Sequence, residues 1–215
     1  MTDIATPITP LVASPPPHPL SFLVLPVEVR LQIYGYLLQL PPIGTAHPHD
    51  ESRVSAAILL ASRQIHAEAA AVLYSANTFV AHPSLLADFP RLRRWYAPVC
   101  AAALLPRIRR FHLTLRLDCE VPFDRRRAAA AFSGAEALHV QVTQSVFLGA
   151  GRDNLRKLED VRGVQRLTIR GSTTGFEGYV AWLERLMQSP LGAEAMELTP
   201  WEEEYVAVPG ASIVT

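Results

Sequence analysis

The sequence predicts an α+β protein, with a helical unit over residues 20–80 and an irregular α/β array of about four strands over residues 81–200. Three observations predict it. Apolar residues in the first eighty positions recur at spacings of three and four, the step of one helical face. Beyond Leu105 the rhythm changes to alternation, which marks half-buried strands. The alternating segments then recur at a nearly even interval, with room for a helix between each pair. A chain of 215 residues, 49% of them hydrophobic, can bury one good core or two small ones.

Residues 1–19 hold six prolines and almost no charge, so they are expected to form an extended, disordered leader. Thr6, Thr9 and Ser14 each precede a proline and fit proline-directed phosphorylation, a pairing common by chance. Order is expected to begin near Phe22. Pro26 suits a first helical turn, where its missing N–H is not needed. The run VEVRLQIYGYLLQL follows, with Val29, Ile33, Tyr36, Leu37 and Leu40 along one expected face, until Pro41 and Pro42 stop it. A loop over residues 41–52 leads to a long central helix over residues 58–79. Asp50 or Ser52 is placed to cap that helix.

The central helix carries Ile58, Ala61, Ile65, Ala69, Val72 and Ala76 on its expected stripe. Asn77 marks its end, because Asn tolerates the left-handed conformation that closes many helices. Residues 84–105 read as mostly helical, broken at Pro90 and Pro98. Strands are then expected around Phe111, Leu138 and Leu167, and more weakly around Met196; these four positions stand 27, 29 and 29 residues apart. Helices fit between them at residues 125–132, 154–161 and 176–188. Residues 201–215 are expected to be a loosely held tail.

The even strand–helix period resembles a leucine-rich-repeat array of the degenerate kind, since the asparagine ladder of regular repeats is missing. An ordinary α/β sheet with even spacing is the alternative. Within residues 22–80, LPVEVR from Leu25 with the following IY and LL pairs, and then RQIHAEA from Arg63 with the following LY and NTF, stand in an order that resembles a large family of fungal F-box-like proteins. Leu25-Pro26-Val27-Glu28-Val29-Arg30, Ile33-Tyr34 and Leu37-Leu38 carry the first part of that resemblance. Arg63-Gln64-Ile65-His66-Ala67-Glu68-Ala69, Leu73-Tyr74 and Asn77-Thr78-Phe79 carry the second. The later run from Ile108 to Leu113 fits the same family's first strand. The resemblance implies docking on a Skp-type adaptor of a cullin–RING ubiquitin ligase through Leu25, Pro26, Ile33 and Leu37. The region that follows would hold a substrate. The alternative is a scaffold that kept the fold without adaptor binding. The Pro/His-rich loop over residues 41–52 departs from well-studied members.

Other signals are weaker. Arg63 and Glu68 are five apart, too far round a helix to pair, so Arg30 and Glu28 on the first helix are their natural partners. His47 and His49 beside Asp50 and Glu51 imitate a metal site, but nothing completes a tetrahedral set. Neither a metal nor any other cofactor is expected. Three arginine clusters, Arg91 to Arg94, Arg107 to Arg110 and Arg125 to Arg127, lie near Trp95, Tyr96 and Phe111 and allow RNA binding as a third reading. Against it, the formal net charge is zero, and Asp118, Glu120 and the triplet from Glu202 are available to neutralise them. No phosphate-cradling glycine loop, nucleophile elbow or zinc-helix motif is present, and the expectation is a non-enzymatic interaction protein. GSTTGFEG from Gly171 reads as a strand-to-helix turn. Two cysteines without metal spacing, no membrane-length apolar run and no secretory pattern predict an intracellular protein, cytoplasmic or nuclear.

Overall fold

The computed structural model describes residues 21–44, 53–145 and 151–193. Helix α1 spans Val27–Leu38 and starts directly after Pro26, as the sequence predicts. Helix α2 spans Arg63–Ala76 and is shorter than the expected 58–79 helix. The reason is Ser62. Its extended backbone (φ −162°, ψ 166°) breaks the helical path, and its hydroxyl accepts the Ile65 N–H at 3.2 Å, starting a new helix. Upstream, Ala56–Leu60 forms a separate 3-10 turn, and Ala61 is exposed rather than on a stripe. The expected caps at Asp50 and Ser52, and the histidines of that loop, lie outside the described residues.

Residues 84–105, expected to be helical, are not. Strand β1 (Phe79–His82) turns back into β2 (Leu86–Arg91), and an irregular stretch leads to a 3-10 turn at Leu105–Arg107. The turn is built locally: His82 Nδ1 accepts the N–H groups of Ser84 and Leu85, each at 3.1 Å. Pro90 fits because β2 is an edge strand, where a missing donor faces no partner.

Strands β3 (Arg110–Arg116), β4 (Ala137–Thr143) and β5 (Arg166–Gly171) complete a sheet of order β2-β1-β3-β4-β5. Only β1 and β2 are antiparallel; the other pairs are parallel. Phe111, Leu138 and Leu167 are level partners across the sheet, matching the sequence spacing, and Phe79 extends the same row. Met196 lies outside the described residues.

Helix α3 (Arg125–Phe132) has the predicted bounds, capped by the Asp124 carboxylate, which accepts the Arg127 N–H at 2.8 Å. Helix α4 (Asp153–Arg156) is a single turn in place of the expected eight residues, and α5 spans Glu177–Gln188. These helices pack on one face of the sheet. Leu113, Leu115, Val140 and Val142 point into that layer and are buried with Phe132, Leu155 and Leu183. Among the described residues no helix covers the other face. The α1–α2 pair joins the same core at the N-terminal ends of the strands, where Arg110 donates to the Ala76 carbonyl at 3.0 Å. The expected boundary after residue 80 therefore falls inside β1.

Candidate docking surface on the first helix

Three α1 residues one turn apart, Arg30, Tyr34 and Leu38, point inward and are buried. The expected face through Val29 and Tyr36 is not the inner one: Tyr36 is 90% exposed and Val29 39%. The pattern misled because α1 is apolar nearly all round, and its buried row begins with an arginine.

Arg30 can be buried because its donors are engaged. Nε and Nη2 donate to the two carboxylate oxygens of Glu68 at 2.9 and 2.7 Å. Nη1 donates to the Leu25 carbonyl at 2.6 Å and lies 3.4 Å from that of Leu23. Tyr34 and Gln64 also donate to Glu68, at 2.9 and 3.0 Å. The expected clasp between helices thus forms, with Glu68 and Arg30 as its members; Arg63 and Glu28 are exposed. The Arg30 guanidinium, followed by the Gln64 amide, holds the Glu68 carboxyl down at about 2, although burial opposes this. Burial, and then the bond to Glu68, pushes the Tyr34 hydroxyl up.

Asn77 closes the pair at its other end. It is buried and extended (φ −94°, ψ 150°) rather than left-handed, so it does not end α2 in the expected way. Its Nδ2 donates to the Leu38 and Leu73 carbonyls at 2.8 and 2.9 Å, and its Oδ1 accepts the Leu40 N–H at 2.8 Å. One side chain thus satisfies a carbonyl at the end of each helix, Leu38 of α1 and Leu73 of α2. Arg93 adds a further tie, donating to the carbonyls of Thr78 and Pro41.

On the outside, α1 carries two apolar flanks. Val29, Ile33 and Leu37 form one, at i, i+4, i+8. Leu31, Gly35 and Tyr36 line a shallow groove on the other, closed by Leu40, Pro41 and Pro42. Ahead of the helix, a 3-10 turn at Phe22–Val24 exposes Leu23, Val24 and Leu25, with Val24 at 73%. Of the positions singled out from the sequence, Leu25 and Pro26 are on the surface. Ile33 and Leu37 are half-buried, and Leu37 packs against the core. Tyr36 is exposed although the periodicity put it on the inner face, whereas Leu31, off that face, and Val24, ahead of the helix, were given no inner place by the spacing.

Of the nine arginines in the three clusters, Arg110, Arg125 and Arg127 meet acids among the described residues, and the triplet from Glu202 lies outside them. Glu136 takes Arg110 and Arg166, Asp160 and Glu159 take Arg125, and Asp88 lies 3.9 Å from Arg127. Asp118 instead pairs with Arg116, and Glu120 has no arginine partner among the described residues. The glycines of the 171–178 turn lead from β5 into α5, as expected. Cys100 and Cys119 are exposed and unbridged. Among the described residues no helix is long and apolar enough to cross a membrane, and no group of three or more His, Cys, Asp or Glu is gathered to hold a metal. No protein-family model, no curated protein and no solved structure matches this chain.

Proposed function

We propose that this chain is a non-enzymatic interaction module of the F-box-like kind, a substrate receptor that docks on a Skp-type adaptor of a cullin–RING ubiquitin ligase. One observation carries the reading. The segment from Leu23 to Leu25 is apolar and exposed, yet its carbonyls are held by the buried Arg30. An exposed apolar strip on a fixed backbone is suited to a partner, because little ordering entropy is lost when it docks. Leu25 and Pro26 head the strip, Val29 and Ile33 continue it along α1, and Leu37 supports it from the core side. The level row of parallel strands supports reading the remainder as a degenerate leucine-rich-repeat-like array.

A second reading, a scaffold without adaptor binding, is favoured by a different observation. The motif residues Arg30, Tyr34, Glu68 and Asn77 are all explained by the contacts they make inside the chain. A pull-down of a Skp-type adaptor by the purified protein separates the two. Capture by the wild type, lost in Leu25→Asp with an unchanged circular dichroism spectrum, supports the receptor. No capture by the wild type leaves the scaffold.

A further inference from the structure

The uncovered face of the sheet has a charge the whole chain conceals. Net charge is zero, but the acids Asp88, Glu159 and Asp160 pair with arginines of α3, on the covered side. The uncovered face carries Arg91, Arg110, Arg116, Arg166 and Arg170, with His112 and His139 between them. Glu136 is shared by two of these arginines and Asp118 offsets a third. Arg91, Arg94 and Arg170 have no acidic partner among the described residues.

Arg91 and Arg94 converge on a cleft of about 600 Å³, lined also by Val80, His82, Phe89 and Thr114 and by no acid. Thr114 is level with Gln141, and Gln141 with Arg170. One polar row therefore runs from the cleft across the sheet to an unpaired arginine at its far edge. Four strand spacings of about 4.8 Å separate β2 from β5, roughly 19 Å in all. An extended segment of about six residues covers that length.

We propose that this face binds an extended, carboxylate-rich polypeptide segment. It would lie across the strands with acidic side chains at the Arg91/Arg94 cleft and at Arg170. The uncharged polar side chains between them, Thr114 and Gln141, offer a backbone hydrogen bonds without competing charge. A nucleic acid is the less suited occupant: Phe89 lines the cleft, but on this face β3 and β4 present no Phe, Tyr or Trp on which a run of bases would stack. That such a segment would be a ligase substrate rests on the receptor reading above; binding itself is measured with no adaptor present.

The test is fluorescence anisotropy with a labelled, Glu-rich decapeptide and the full chain. Binding should weaken steeply between about 50 and about 500 mM salt. Arg94→Glu combined with Arg170→Glu should weaken it by about tenfold or more. Arg126→Glu, on α3 at the covered side, should leave it unchanged. Should the double reversal disturb folding, Arg94→Gln with Arg170→Gln gives the same readout with a smaller loss. No binding by the wild type, or equal loss in Arg126→Glu, overturns the proposal. So does tighter binding of single-stranded homopolymeric RNA that the same double variant abolishes. Adaptor capture with no peptide binding would sink this inference alone, and peptide binding with no adaptor capture would sink only the ligase reading.

Discussion

Arg30 lies side-on to Glu68, 38 residues later in the chain, and also donates to the carbonyl of Leu25, five residues before it. One guanidinium therefore joins the two helices and fixes the exposed segment ahead of the first. A planar, five-donor group can do this, whereas a lysine ammonium cannot match the fork. Arg30→Lys is expected to keep the helices and loosen the lead-in, read as faster amide exchange over residues 22–26. Unchanged exchange there would mean that the segment is held by other contacts.

The clasp also sets a pH dependence. Folded Glu68 gains its proton only near pH 2, against a reference value of 4.5. Between those values the unfolded chain binds the proton and the folded chain does not, so stability rises with pH across that window. The contribution is complete above about 4.5 and is lost as pH falls toward 2. Asp118, held at about 2 by Arg116, titrates in the same window, so the comparison must be with a variant. Glu68→Gln should melt several degrees lower at neutral pH and show a shallower loss on acidification. An unchanged slope would show that Arg30 does not hold the carboxylate.

Asn77 supports the end of the helix pair. Asn77→Ala leaves the Leu40 N–H and the Leu38 and Leu73 carbonyls without this partner in a buried site. With about 1–3 kcal/mol for each buried group left unsatisfied, a loss of about 3 kcal/mol or more is expected from urea unfolding. Ser75→Ala, an exposed residue donating only to its own helix, should cost under about 0.5 kcal/mol. Similar costs at the two positions would contradict the role given to Asn77.

Ile65 is buried on α2, so Ile65→Asp should destabilise by about 3 kcal/mol or more. Ala67→Asp, exposed on the same turn, should cost about 1 kcal/mol or less. Gln64→Asp is not a neutral control, because Gln64 donates to Glu68 and a second carboxylate there would repel it. Equal effects at Ile65 and Ala67 would mean that the buried face of α2 is misassigned.

Gly171 ends β5 at φ +117°, where an added Cβ would lie 2.0 Å from the Val142 carbonyl oxygen. Gly175 in the same turn also has positive φ, +93°, but opens onto empty space. Gly171→Ala should therefore cost clearly more than Gly175→Ala, for which backbone strain of about 1–2 kcal/mol is the whole effect. The reverse order would place the close contact elsewhere.

Much of the α/β half was legible because its signals are local and redundant. Alternation in 111–117 and 138–142 fixed two strands, and the even spacing put Phe111, Leu138 and Leu167 level, as they stand. The hairpin of β1 and β2 was missed because its turn depends on His82 accepting two backbone N–H groups, which no periodicity reveals. Pro90 suggested a broken helix where it marks an edge strand. On α1 the error was of a different kind. The inward row begins with Arg30, and only the carboxylate of Glu68, distant in sequence, makes that arginine a core residue. The Arg30–Glu68 pairing was suggested by the leftover charges, but its grip on Leu23 and Leu25 needed coordinates.

The docking strip is tested most directly by hydrogen–deuterium exchange of the full chain with and without a Skp-type adaptor. Added adaptor is expected to protect amides from Phe22 through Ile33 and to leave β3, β4 and β5 unchanged. Protection confined to the sheet, or no protection anywhere at saturating adaptor, would contradict a docking surface on the first helix.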